Sequence, residues 1–564
     1  MVNRKVRAAR AFAATLSMVQ VCTPVDAAPE RPAGRTSVYV PVRDGTRLAV
    51  DIFRPATATK TPAPVILTMT PYQRARRGAD GKLLIDGVTR AFLAAGYVVA
   101  IGDVRGKGAS FGSRKGPSDA LETSDVGDVI EWLARQPWSN GHIGMHGCSY
   151  LGSTMMEGLR SKAPHLKAVA VGSTQFDMMT SFTDGGATRL RPLADEALSV
   201  DDELTQAVPV DGDSDGTLLR STRTDKLRNL SPMAIWKSAP FRDSVSALTG
   251  DAYWQTSSVF AHLAEVNASG APLFMYGSWH DPFINETINA WHNLKNARNL
   301  LLGHGAHCQS PDYDRDKAVV RFFDFWLKGR PNGQDRDPRV TWYLEGGKPG
   351  HEWQQAAAWP LPGRKVRYFL GAAGAAGQLS ETRPTATAAL TSAPMPGAEA
   401  ITNLSVVRAN VDPFSVTFTS PPLTAARVVS GTPVVALRLS ADLADYVAEA
   451  YLEQVNPTRS PEVIARGSLL ASRRKLMPAP YDTGGVPYPS QRAADSQPPP
   501  PGEAVELTFG LSPVGRQFER GDRFRLAVTL RGNAQGQRAP ATVHISPDAV
   551  SWIDIPVADQ PPGN

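Results

Sequence analysis

Apolar residues in the first third of the chain come in unbroken runs rather than in strict alternation. Residues 64–69 and 97–102 are continuous apolar stretches, each about the length of one strand. Runs of this kind predict strands covered on both faces, as in a parallel sheet. Residues 142–146 and 166–171 read the same way, whereas 126–135 and 153–160 have helical character. Residues 37–43 and 46–53 read as an opening hairpin turned at Asp44-Gly45. Strands alternating with helices predict an α/β order.

From Phe176 to about 266 the rhythm breaks into polar, mostly helical sequence, the pattern of a cap inserted over a site. Asp211-Gly212-Asp213-Ser214-Asp215-Gly216 superficially resembles a calcium loop. Thr222 stands where its closing glutamate would be, so a plain surface loop is expected. Strands resume at 271–276 and 299–303 and are followed by an aromatic helix at 317–328. Beyond Gly329-Arg330-Pro331-Asn332-Gly333 the chain turns to short β segments, among them 340–344, 365–370, 434–439, 505–509 and 523–529. An all-β sandwich is expected there, with 372–400 and 477–502 as long irregular loops. The expected division is a leader at 1–27, a core at 28–175 and 267–333, a helical cap at 176–266, and a β unit at 334–564. A chain of 564 residues accommodates two or three such units.

Composition adds a compartment. Arg4, Lys5, Arg7 and Arg10 precede a moderately apolar stretch at 11–21, and Val25-Asp26-Ala27 suits a cleavage site. This is the pattern of a cleavable secretory signal, too short and polar to remain as a membrane span. Val21 before Cys22 fits poorly the small residue that lipid attachment prefers. Periplasmic or secreted placement is therefore expected. The leader supplies +3 of the net charge of +6, and no basic run interleaved with aromatics suggests a nucleic-acid partner. The content of 42% hydrophobic and 20% charged residues is that of an ordinary soluble globular protein.

Candidate chemistry centres on Gly147-Cys148-Ser149-Tyr150-Leu151-Gly152, which lies between an expected strand and an expected helix. A serine on such a turn is a nucleophile elbow, although the second glycine stands one place later than in the G-x-S-x-G form. The N–H after the serine then points from a helix N-terminus toward a developing oxyanion. A serine hydroxyl needs a base, and the base needs an orienting carboxylate. In this fold these follow the serine as acid, then histidine. Gly277-Ser278-Trp279-His280-Asp281 follows one strand, and His304-Gly305-Ala306-His307-Cys308 follows the next. Order and spacing suit a triad of Ser149, Asp281 and His307.

The chain resembles the cocaine-esterase-like hydrolases, which are grouped with Xaa-Pro dipeptidyl-peptidases and α-amino-acid ester hydrolases. The residues that carry the resemblance begin with Val42-Arg43-Asp44-Gly45-Thr46-Arg47-Leu48, Thr70-Pro71-Tyr72 and Asp103-Val104-Arg105-Gly106. They continue with Pro137-Trp138-Ser139-Asn140-Gly141, the elbow, Trp279-x-Asp281 and Gly303-x-x-x-His307. The resemblance implies an α/β-hydrolase core, an inserted helical cap and a C-terminal jelly-roll. It selects His307 over His304, and it implies that the Tyr72 hydroxyl joins the Tyr150 N–H in an oxyanion hole. Asp103 and Arg105 are expected to form a buried structural pair. In the α-amino-acid ester hydrolases, acidic residues two and three places past the aspartate help hold the substrate ammonium. Phe283 and Ile284 stand there instead, which favours a neutral or aromatic acyl ester.

Cys148 precedes the serine and Cys308 follows the histidine. If Ser149 and His307 lie within hydrogen-bond reach, these two cysteines come within bridging distance, and export permits the bond. The arrangement is similar to the Cys-Ser…Asp…His-Cys pattern of tannases and feruloyl esterases, although the rest of the chain does not follow that family.

The sequence thus predicts an exported serine hydrolase acting on a small ester or amide through an acyl-enzyme. No metal or organic cofactor is expected, since none of the ten histidines shows ligand spacing. The alternatives are a dipeptidyl-peptidase or acylase, and a non-catalytic protein that binds glycans or cell envelope.

Overall fold

The apolar runs become the centre of a ten-stranded sheet in the computed structural model, which describes residues 34–55, 61–188, 198–394, 411–532 and 539–559. The expected leader at 1–27 lies outside the described residues. Strands β1 (Arg35–Pro41) and β2 (Arg47–Phe53) form an antiparallel hairpin. Next come β3 (Ala63–Thr70), β4 (Val98–Asp103), β5 (Ser139–Cys148) and β6 (Leu166–Gly172). A two-residue-strand hairpin, β7 (Thr183–Asp184) with β8 (Ala187–Thr188), opens the inserted region. The sheet resumes with β9 (Leu273–Ser278), β10 (Ala297–Gly303), β11 (Val340–Tyr343) and β12 (Trp353–Ala356). Spatial order is β1-β2-β4-β3-β5-β6-β9-β10-β11-β12, parallel from β4 to β11.

Alternate side chains of one strand enter different cores, which is why the central strands are apolar on both faces over most of their length. Val65, Leu67 and Met69 of β3 face helices Ala120–Ala134 and Tyr150–Arg160, while Ile66 faces Gly87–Ala94 and Arg315–Lys328. Leu273 and Met275 divide from Phe274 and Tyr276 of β9 in the same way. Short helices between β6 and β9 gather around their own apolar cluster of Met178, Met179, Phe182, Ile235, Trp236, Tyr253 and Trp254, with Phe283 at its margin. The acidic 211–216 loop has a local role, since Asp213 accepts hydrogen bonds from the N–H groups of Leu218 and Leu219.

Three sequence expectations change. The segment 340–344, assigned to the β unit, instead extends the first sheet: β11 runs parallel beside β10, and β12 closes the edge antiparallel. A four-residue apolar strand does not itself say which sheet it joins. Within 372–400, part of the chain expected to be a loop forms strands Ala376–Ser380 and Ala388–Thr391. Asp103 and Arg105 do not pair with each other. Asp103 takes Arg74 at 2.9 Å, whereas Arg105 takes Asp125 and Asp44. Strand β4 ends at Asp103, and the turn that follows sends Arg105 toward a different set of carboxylates.

Downstream, the C-terminal region is a β-sandwich around a second apolar core. Its long strand Tyr446–Val455 pairs with both Glu462–Leu470 and Arg523–Gly532. Among the polar links that join it to the first unit are Arg516 to Glu345, which also holds His280, and the phenols of Tyr481 and Tyr488 to Asp177. Among the described residues no helix is long and apolar enough to cross a membrane.

Candidate active site

Ser149 joins β5 to helix Tyr150–Arg160 with φ of 64° and ψ of −130°. A left-handed φ is strained for a residue with a Cβ and persists only where its surroundings impose it. The flanking glycines explain how the turn closes. A Cβ on Gly147 would lie 2.7 Å from the Leu151 side chain, and one on Gly152 would lie 2.8 Å from the Gly172 carbonyl oxygen of β6. The late glycine of the motif is therefore required by the neighbouring strand. Ser149 N–H donates to the same Gly172 carbonyl at 3.1 Å, which fixes the elbow to the sheet. Tyr150 is the first helical residue, so its N–H belongs to the turn whose donors lack carbonyl partners within the helix.

Asp281 lies on the turn after β9 and is 2% exposed. Its Oδ2 sits 2.9 Å from His307 Nδ1 and accepts the Cys308 N–H at 3.1 Å, while Oδ1 accepts the Phe283 N–H at 2.8 Å. Burial alone would raise this carboxyl. The His307 hydrogen bond and charge, with the Phe283 N–H, hold it below the usual range. His307 is half-buried with the Phe283 ring 5.5 Å away. His304 lies apart from this pair, against Tyr343 at 4.0 Å and with Nε2 3.8 Å from Asp312.

Cys148 and Cys308 form a disulfide with Cα atoms 6.0 Å apart, which holds the elbow against the histidine loop. The structure thus brings Asp281 and His307 into direct contact and tethers Ser149 beside them. Among the described residues, no hydrogen bond joins Ser149 Oγ to the imidazole. Catalytic hydrogen bonds of this kind commonly tighten only when substrate is bound.

Tyr72 follows β3 and is half-buried, its ring edge-on to Tyr150 at 6.3 Å between centroids. The segment beneath it is firmly held. Tyr72 N–H donates to Thr70 Oγ1, and buried Arg74 bridges Asp51 and Asp103.

Residues that the sequence reading did not single out surround this site. Asp177 is fully buried and receives Arg242, Tyr481 and Tyr488; Glu286 receives the N–H groups of Phe176 and Asp177. A cavity of about 300 Å³ lies behind the acid, lined by Asp281, Glu286, His292, Tyr481, Tyr488 and Gln491. Asp281 borders it, whereas Ser149 and His307 do not. No spacing in the chain announces these partners, which come from segments as far apart as 177 and 488.

Comparison with known proteins follows this division. The pattern of the X-Pro dipeptidyl-peptidase (S15 family) matches residues 44–309, and that of the X-Pro dipeptidyl-peptidase C-terminal non-catalytic domain matches 332–542. A Mycobacterium tuberculosis protein that carries the provisional name serine esterase is 28% identical, covering 93% of this chain and 95% of its own. Cocaine esterase of a Rhodococcus species is 27% identical over 60% of this chain and 63% of its own. Among solved structures, a CocE/NonD family hydrolase from Staphylococcus aureus superposes with a TM-score of 0.69 at 18% identity, covering 93% of each chain.

Proposed function

The chain belongs to the CocE/NonD family of serine hydrolases, and from that premise we propose that it cleaves small neutral or aromatic acyl esters through an acyl-enzyme on Ser149. His307 takes the serine proton and returns it to the leaving alcohol, while Asp281 orients the imidazole and stabilises its charged form. The Tyr150 N–H and the Tyr72 hydroxyl receive the tetrahedral oxyanion, and water then repeats the sequence to release the acid. The observation that carries this reading is the 2.9 Å contact of His307 Nδ1 with buried Asp281, on a loop bridged to the elbow by Cys148–Cys308.

The S15 match favours a second reading, release of N-terminal dipeptides or hydrolysis of amino-acid esters. Those substrates present an ammonium, which is costly to bury without an anionic partner. Phe283 packs on the imidazole where the ester hydrolases of amino acids place acids. The nearby carboxylates Asp177 and Glu286 are already occupied by Arg242, two tyrosines and two backbone N–H groups. An ester is thus the better supported substrate. The disulfide supports an exported location.

A panel of aryl esters against Xaa-Pro anilides separates the two readings, and a fluorophosphonate probe reports the nucleophile. We expect ester turnover and labelling, both abolished by Ser149→Ala. Labelling that survives this substitution would refute the assignment. Wild type inert to both probe and substrates would point to a binding protein instead.

A further inference from the structure

We propose that Arg114 and Glu122 are positioning residues for the oxyanion hole, acting through the side-chain hydroxyl of Tyr150. This inference rests on the reading of the Tyr150 N–H as an oxyanion donor.

A residue whose amide must point at a reacting atom gains precision if its side chain is also fixed. Tyr150 is 5% exposed, and its phenol sits between two buried groups of opposite type. Arg114 Nη1 donates to the Tyr150 oxygen at 2.9 Å, and the Tyr150 hydroxyl donates to Glu122 Oε2 at 3.1 Å. The same Glu122 oxygen accepts the Ser118 N–H at 2.8 Å. Arg114 also lies 5.4 Å from the Tyr150 ring centroid, and the same ring meets Tyr72 edge-on. One short network therefore holds the side chain of one oxyanion donor and reaches the ring of the other.

The loop that supplies Arg114 is itself anchored in the cap. Arg114 N–H donates to Asn229 Oδ1, and its carbonyl accepts the Leu230 N–H. Glu122 is fixed by helix Ala120–Ala134, in the first turn of which it lies. Packing alone does not account for this arrangement. A phenylalanine would fill the Tyr150 site, and burying a guanidinium and a carboxyl beside it is unfavourable until their contacts offset the desolvation. Burial raises the Glu122 carboxyl to about 8, against the opposing effect of Arg114. Burial thus favours the uncharged acid, for which glutamine is the nearest analogue.

The test measures ester hydrolysis by the full chain, with kcat expressed per site titrated by fluorophosphonate and unfolding followed in parallel. Tyr150→Phe keeps the amide and the ring while removing the hydroxyl. It should lower kcat by about ten- to a hundredfold with KM unchanged, as expected for a donor moved by a fraction of an ångström. Glu122→Ala should do the same, Glu122→Gln should restore most of kcat, and the double variant Tyr150→Phe/Glu122→Ala should be no worse than either single one. Tyr150→Phe with kcat per site within about twofold of wild type would overturn the proposal. So would Glu122→Gln losing as much as Glu122→Ala. If Ser149→Ala keeps its turnover, the catalytic reading itself has failed; if Ser149→Ala is inactive and Tyr150→Phe is normal, only this inference has.

Discussion

Replacing both bridging cysteines by alanine tests whether the disulfide holds the proposed nucleophile and base together as well as the chain. Cys148 immediately precedes the proposed nucleophile Ser149, and Cys308 immediately follows the proposed base His307, with its N–H on the same Asp281 oxygen that meets His307. The bridge spans a sequence separation of 160 residues. In the chain-entropy treatment, a closed loop of that size constrains the unfolded state by about 5 kcal/mol, an upper value before native-state relaxation. With a denaturant dependence of about 3 kcal/mol per molar urea for a unit of this size, the unfolding midpoint should fall by about 1–2 M.

Catalysis should suffer as well. Cys308 has φ of 62°, a conformation that costs a residue with a side chain about 1–3 kcal/mol and persists only where its surroundings impose it. Once unbridged, the 304–308 turn can relax, and the Cys308 N–H then leaves Asp281. A displacement of about 1 Å between base and nucleophile is enough for a hundredfold loss of kcat. Urea unfolding and kcat per fluorophosphonate-titrated site should be recorded for the double alanine variant, with intact mass of the wild type under non-reducing conditions. Unchanged midpoint and kcat in the variant would refute the clamp, as would two free thiols in active wild type.

Two further outcomes are expected. Tyr72→Phe should lower kcat by a factor corresponding to about 2.7–4 kcal/mol of transition-state stabilisation while leaving the titrated-site count unchanged, and a loss under threefold in steady-state ester assays would remove Tyr72 from the oxyanion hole. For pH, Glu286 is raised from its ordinary 4.5 to about 7, first by burial and then by the charge of Asp177. The folded state holds this proton more tightly than the unfolded one, so the stabilisation is fully present below about 4.5 and is lost as pH rises through 7. Urea midpoints measured from pH 5 to 8 should therefore fall more in wild type than in Glu286→Gln, and parallel curves would contradict the assignment.

The sequence disclosed what depends on local rules. Residues 64–69 and 97–102 are apolar at nearly every position, Thr68 excepted, because both faces of β3 and β4 are covered, and that requirement is written in the chain itself. The elbow was legible for a similar reason, since Gly147 and Gly152 sit where a Cβ would strike Leu151 or the Gly172 carbonyl. The strand to which 340–344 belongs was not legible, because its pairing with β10 is decided by a partner 40 residues earlier. Buried ion pairs were hidden for the same reason. Asp103 and Arg105 are two residues apart, yet Asp103 meets Arg74 and Arg105 meets Asp125, since the turn after β4 separates their side chains.

The same contrast orders the parts of the site. Ser149, Asp281 and His307, the proposed nucleophile, acid and base, each follow a strand of one sheet, so their order along the chain already implies that they converge. The groups that would set their precision come from elsewhere: Arg114 and Glu122 from the segment between β4 and β5, Arg242 from the cap, and Tyr481 and Tyr488 from the β-sandwich. Asp177 gathers the last three, in the segment just after β6 that leads into the cap. The acid end of the site is therefore held by all three regions at one buried carboxylate. A change in the sandwich at Tyr488 acts on the segment that carries Phe176 and Asp177, and through their N–H groups on Glu286, five residues past the candidate catalytic acid.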